Sequence, residues 1–91
     1  MQQGYDKGID IVYGITDCPA CLRACADLME LDRQYVFVEM DFSSEYRNLI
    51  KEKYNWGTFP IIVTLSNTAE NVIGGYSELS ALGAPKQKSA D

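Results

Sequence analysis

Cys18-Pro19-Ala20-Cys21 constrains this chain more than any other stretch, because it stands where a strand pattern gives way to a helical one. Ile9 to Tyr13 reads as a strand. A short polar turn through Gly14, Thr16 and Asp17 follows, and from Cys18 onward apolar residues recur at helical spacing. Proline at the start of a helix needs no amide hydrogen there, so Pro19 opens the helix rather than breaking it. Cys18 is then left at the helix N-terminus, where unpaired amides and the macrodipole favour an anion, here a thiolate. Cys21 follows one turn on, within reach of a disulfide formed at Cys18. A C-x-x-C placed this way is the pattern of a dithiol redox site.

The rest of the composition narrows the chemistry. Ninety-one residues suffice for one small domain with one core, here residues 1–91 with its folded part at about 9–82. A net charge of −5 would repel a phosphate backbone, which argues against nucleic acid as a partner. No apolar run has the length of a membrane helix and Met1 to Asp6 carries no signal-peptide core, so a cytoplasmic protein is expected. Three cysteines are too few for a disulfide scaffold. Structural zinc takes about four ligands, and the chain has no histidine and no second C-x-x-C, so no metal site is expected. Cys25 lies four residues after Cys21 on the inward stripe of the helix and reads as a small buried hydrophobe.

In order, residues 1–8 form a polar lead-in and Ile9–Tyr13 the first strand. A helix runs over Cys18–Leu31, with Cys21, Ala24, Cys25, Leu28 and Leu31 on one face. Tyr35–Met40 is a second strand, whose unbroken apolar run predicts burial on both faces. Ser43 or Ser44 caps a second helix that ends at Tyr54 and Asn55-Trp56-Gly57. Ile61–Leu65 is the third strand, 66–71 a hairpin connection and Val72-Ile73 a short fourth strand. Ser77 caps a last helix over Glu78–Leu82, which Gly83-Ala84-Pro85 stops ahead of a flexible tail over 83–91. The order β-α-β-α-β-β-α predicts an α/β fold with a four-stranded mixed sheet flanked by three helices. Its first two strands should be parallel and its last two antiparallel. Ligands of such sheets collect at the carboxyl ends of the parallel strands, where the C-x-x-C lies.

Cys18-Pro19-Ala20-Cys21, then Thr58-Phe59-Pro60 before a strand, then Gly74-Gly75-Tyr76-Ser77-Glu78 before the last helix, together resemble a glutaredoxin of the thioredoxin fold. The resemblance covers about residues 9–82. It implies a glutathione-dependent thiol–disulfide oxidoreductase in which Cys18 is the nucleophile and Cys21 the resolving thiol. It implies a cis Pro60 facing the dithiol, with the backbone of Phe59 pairing with glutathione beside Thr58. It further implies that Gly75, Tyr76 and Ser77 hold the γ-glutamyl carboxylate and that Tyr13 lines the thiol groove. The partners so implied are glutathione, as reductant, and disulfide-bearing or glutathionylated proteins, ribonucleotide reductase among them, with the chain acting as a monomer.

Departures from the family pattern also carry information. Ile15 and Trp56 stand where relatives carry cations that meet the glycine carboxylate of glutathione, and Asp17 adjoins Cys18. Two alternatives follow. One is a redoxin of similar fold that a thioredoxin reductase reduces, which suits the missing cations. The other is a carrier of a [2Fe–2S] cluster held by Cys18 thiolates of two subunits and two glutathiones, against which Pro19 argues.

Overall fold

The computed structural model describes residues 8–66 and 69–82. Strand β1 (Ile9–Gly14) leads through helix α1 (Pro19–Glu30) to β2 (Tyr35–Glu39), then α2 (Ser44–Tyr54), β3 (Ile61–Leu65), β4 (Glu70–Gly74) and α3 (Tyr76–Leu82). The strands form one sheet in the order β2-β1-β3-β4. β1 runs parallel to β2, and β3 runs antiparallel to both β1 and β4. This is the mixed α/β arrangement expected from the sequence.

Local chemistry accounts for the helix ends. Cys18 is extended (φ −123°, ψ 96°) and caps α1, with Pro19 in the first turn. Ser43 caps α2, its hydroxyl accepting the Tyr46 amide at 3.1 Å. Glu45 near the start of α2, and Lys51 and Lys53 near its end, complement the helix dipole. Asn55 stops the helix in the left-handed region at φ 55°.

Each sheet face carries its own apolar cluster. Val12 and Ile62 pack under α1 and α3 with Ala24, Leu28 and Leu79. Ile61 and Val63 pack under α2 with Met40 and Ile50. Successive residues of β3 thus serve opposite faces, which is why Ile61, Ile62 and Val63 are all fully buried.

Strand β2 departs from expectation. It lies at the sheet edge, with Val36 50% and Phe37 38% exposed, and Met40 falls beyond its end. An unbroken apolar run records hydrophobicity, not position in the sheet. Here β1 takes β3 as its second neighbour, and among the described residues β2 has none on its outer side. Below α2, the residues Ile9, Ile11, Tyr13, Val36, Val38 and Leu65 line an open groove on the sheet face.

Two smaller boundaries also shift. β4 spans Glu70–Gly74 rather than Val72-Ile73 alone. Helix α3 begins at Tyr76, so Ser77 lies inside its first turn and is not the cap. Gly75 precedes the helix instead, with its carbonyl accepting the Leu79 amide at 3.0 Å and its amide donating to Glu78 Oε1 at 3.0 Å. The Glu78 bond is the glutamate half of a capping box, with glycine in the cap position. The lead-in over 1–7, the hairpin residues Asn67 and Thr68, and the tail over 83–91 lie outside the described residues.

A polar tie closes the end of the sheet away from Cys18. Asp10, 1% exposed, accepts from Arg33 Nε at 2.6 Å, Arg33 Nη2 at 2.9 Å and Thr64 Oγ1 at 2.7 Å. The tie joins the start of β1, the turn after α1, and β3.

Candidate active site

Cys18 and Cys21 are joined as a disulfide, with their Cα atoms 5.2 Å apart. Cys18 is half-buried and Cys21 fully buried, as expected for a pair with one exposed member. The Cys18 sulfur accepts the Cys21 amide at 3.1 Å, while its carbonyl accepts the amides of Cys21 and Leu22. The outer sulfur therefore meets an amide, shared with the Cys18 carbonyl, at the positive end of α1. An amide aimed at sulfur stabilises the thiolate more than the thiol and lowers the pKa.

The loop that presents Cys18 is held from β2. Thr16 donates its amide to Asp41 Oδ2 at 3.0 Å and its hydroxyl to Glu39 Oε2 at 3.1 Å. Asp17 takes the left-handed conformation, φ 55°, a region that aspartate tolerates better than most residues. Glu39 and Asp41 thus hold the loop through Thr16, with Asp17 next to Cys18 in the chain.

Gly14 lies directly under the dithiol. A Cβ built there would come within 2.9 Å of the Cys21 sulfur and within 2.7 Å of the Phe37 ring. Glycine is required because sulfur and ring converge on one point above the backbone. Gly14→Ala is expected to displace one of them, lowering the disulfide-reduction rate roughly tenfold and stability by about 1–3 kcal/mol. Thermal unfolding and a thiol–disulfide assay on the purified variant check this, and full activity at unchanged melting temperature would refute it.

The second motif lies alongside. The Phe59–Pro60 bond is cis, Pro60 is buried and Thr58 is exposed. Phe59, Ile15 and Trp56 pack against the cluster under α2, so the positions where relatives carry cations hold apolar contacts instead. One cation does stand here: Lys51 Nζ lies 5.4 Å from the centroid of the Phe59 ring. Trp56 also reaches the third motif. Cβ atoms built at Gly74 and Gly75 would lie 2.9 Å from its Cη2 and 3.4 Å from its Nε1. Gly74 has φ +121°, which a side chain would strain in any case. Gly75 is buried, Tyr76 half-buried and Ser77 exposed.

Two residues singled out in the sequence take other places. Tyr13 alternates with Val12 and Gly14 and so points to the α2 face, away from Cys21, with its ring 5.8 Å from that of Tyr54. Tyr54 in turn donates to Glu70. Burial, then the Glu70 and Tyr13 hydrogen bonds, hold the Tyr54 hydroxyl above the ordinary tyrosine range. Cys25 is a half-buried free thiol packed against the α1-face cluster. Burial pushes it up, with a hydrogen bond to Tyr35 opposing, so it stays a neutral thiol and a poor nucleophile. Among the described residues, no group of three or more His, Cys, Asp or Glu side chains is placed to hold a metal ion. No helix there is long and apolar enough to cross a membrane.

Phe37, Gly14, Lys51 and Glu78 are the site residues that the sequence reading missed. Gly14 and Glu78 carried a local signal, as a glycine just ahead of the C-x-x-C and a carboxylate three residues after a Gly-Gly turn. Phe37 and Lys51 carried none.

Comparisons with known proteins agree with this geometry. No curated protein matches the chain in sequence. Among solved structures, a glutaredoxin from Brucella melitensis superposes with TM-score 0.69 at 24% identity, covering 93% of this chain and 88% of its own. Glutaredoxin 1 from Francisella tularensis, solved with cacodylate, gives 0.63 at 18% identity, covering 91% and 98%. The germline-specific thioredoxin Deadhead from Drosophila melanogaster gives 0.53 at 17% identity, covering 94% and 86%. At these identities the superpositions establish the thioredoxin-like fold. A family model for glutaredoxin matches residues 11–65, a span that includes both cysteines, the cis-proline segment and most of the sheet. With a redox pair at Cys18 and Cys21 in that setting, the chain belongs to the glutaredoxin family.

Proposed function

We propose that this chain is a glutathione-dependent thiol–disulfide oxidoreductase acting on protein disulfides and glutathione mixed disulfides. The observation that carries the reading is Cys18 at the cap of α1, its sulfur accepting the Cys21 amide. The Cys18 thiolate attacks one sulfur of the substrate disulfide. A Cys18 mixed disulfide forms, the substrate S–S bond breaks, and the departing thiolate takes a proton from water. Two exits follow. Cys21 can attack the Cys18 sulfur, closing the intramolecular disulfide and expelling the bound thiol, or external glutathione can take the glutathionyl group off Cys18. Two equivalents of glutathione return the oxidised pair to the dithiol and leave as glutathione disulfide.

Binding in this reading rests on the backbone of Phe59 beside cis Pro60 and on the exposed Ser77, with Thr58, Gly75 and Tyr76 completing the contact surface. Cationic help is sparse. Lys51 is the ammonium nearest the Phe59 ring among the described cation–ring contacts, and it is the group best placed to meet a carboxylate there. Lys51→Gln should therefore raise KM for glutathione substrates two- to five-fold, within the roughly 0.2–1 kcal/mol of an exposed ion pair. The effect should fade as salt rises. An equal change with a neutral disulfide would remove Lys51 from the binding site.

The deciding experiment follows reduction of a glutathione mixed disulfide on a small thiol, coupled to glutathione reductase. A parallel assay couples protein-disulfide reduction to a thioredoxin reductase. Turnover in the first assay supports the reading. Turnover in the second alone would move the chain to the redoxins reduced by thioredoxin reductase, the reading that the apolar Ile15 and Trp56 favour.

A further inference from the structure

Phe37 stands apart from every other large aromatic side chain near the dithiol. It belongs to neither buried cluster and is 38% exposed on the edge strand, yet its ring and the Cys21 sulfur crowd the same point above Gly14. The register explains how it gets there. Phe37 lies opposite Val12 on the parallel partner strand, so it shares the α1 face with Val12 and Gly14, and its ring leans two residues along toward Gly14. Gly14 has no side chain to hold the ring off. Cys21 is 0% exposed, and the Phe37 ring stands beside its sulfur above Gly14.

We propose that Phe37 is a positioning residue for the dithiol: its ring screens the Cys21 sulfur from water and retards the step in which Cys21 releases a substrate from Cys18. The inference rests on the reading of Cys21 as the resolving thiol. That step is an exchange of one disulfide for another. The Cys21 thiolate attacks the Cys18 sulfur, the Cys18–Cys21 bond forms, the bond from Cys18 to the substrate sulfur breaks, and the released thiolate takes a proton from solvent. No outside oxidant is required. An apolar screen disfavours the charged form of Cys21 and leaves the more accessible Cys18 as the thiolate of the pair. Slow release in turn lengthens the life of the Cys18 adduct, which gives an external small thiol time to resolve it. Phe37 would thus bias the enzyme toward deglutathionylation and away from closing its own disulfide.

The titratable and charged groups on the elements around the sulfur are Cys18 at the cap of α1, Arg23, Cys25, Asp27 and Glu30 on α1, Asp17 in the loop, Asp10 and Tyr13 on β1, Tyr35 and Glu39 on β2, and Tyr76 and Glu78 on α3. Within each arm of the test the variants differ only at Phe37, so the comparison isolates the ring.

The test has two arms. In the first, Cys18→Ser and Cys25→Ser leave Cys21 as the only thiol, and its alkylation by iodoacetamide is followed against pH with Phe37, Phe37→Leu and Phe37→Ala. Phe37→Ala should lower the midpoint of reactivity by about one unit and raise the rate at neutral pH roughly tenfold, while Phe37→Leu keeps most of the screen. In the second, the protein with both active-site cysteines is loaded with glutathione at Cys18, and release of glutathione without added thiol is timed. Phe37→Ala should speed release several-fold. An unchanged midpoint in the first arm overturns the screen. A shifted midpoint with unchanged release overturns the reading of Cys21 as the resolving thiol, and the proposal with it. If Phe37→Ala does not fold, Phe37→Thr keeps strand propensity without the ring and answers the same question.

Discussion

Cys18→Ser is expected to remove every thiol–disulfide activity, by roughly a thousandfold or more, as happens when a covalent nucleophile is deleted. The serine hydroxyl stays protonated where the thiol ionises, so the amide of Cys21 and the end of α1 have no anion to stabilise. Cys21→Ser should behave differently. It keeps Cys18 at the cap and leaves external glutathione able to resolve the adduct. Deglutathionylation should therefore persist at a substantial fraction of the wild-type rate, while reduction of protein disulfides that need the second thiol falls sharply. Steady-state assays of both variants on both substrate types separate these outcomes. Activity surviving in Cys18→Ser would overturn the mechanism, and equal loss in the two variants would overturn the division of labour.

Arg33→Ala should produce the largest loss of stability of any single surface-accessible change. Asp10 is 1% exposed and takes two of its hydrogen bonds from the Arg33 guanidinium. Removing the guanidinium strands a buried carboxylate with only Thr64 as its remaining partner. Breaking a buried pair from one side costs about 3–5 kcal/mol, and the lower end applies because the Arg33 side chain is 39% exposed, so water can follow it in. Against a total stability of roughly 5–15 kcal/mol this is a large fraction. For a domain of this size it corresponds to a fall in Tm of roughly 10–20 °C. Asp10→Asn added to Arg33→Ala should recover part of the loss, since a neutral amide can keep the Thr64 contact without a buried charge. Calorimetry on the single and double variants checks both statements, and a drop below about 4 °C in the single variant would show that the tie is not a stability element.

These two predictions come from parts of the chain that were unequally visible in the sequence. The end of α1 could be read directly, because Pro19 and the two cysteines act through contacts three residues apart, and local rules suffice at that range. The same holds for Ser43 capping α2 and for Asn55 ending it. The edge position of β2 could not be read. Tyr35–Val38 is apolar enough for an interior strand, and only the pairing of β1 with β3 leaves it outside. Asp10, Arg33 and Thr64 come together across 23 and 54 residues, and nothing near any one of them in sequence announces the other two. The convergence of Phe37 and Cys21 on Gly14 is of the same kind. Where Ser77 and Glu78 compete for the start of α3, local reasoning chose the better-known cap. The glycine at 75 let the glutamate three residues later accept its amide instead.

Trp56 has a consequence for how this protein can be observed. It is the only tryptophan in the chain, two residues before Thr58 in sequence, and its indole lies against the Gly74–Gly75 turn. Essentially all emission excited near the red edge of the protein's absorption therefore originates at one point beside the candidate binding surface. A shift in its wavelength or intensity reads the local polarity there and nothing elsewhere, with no label attached and no second fluorophore to subtract. The molecule carries its own optical gauge beside the Gly74–Gly75 turn.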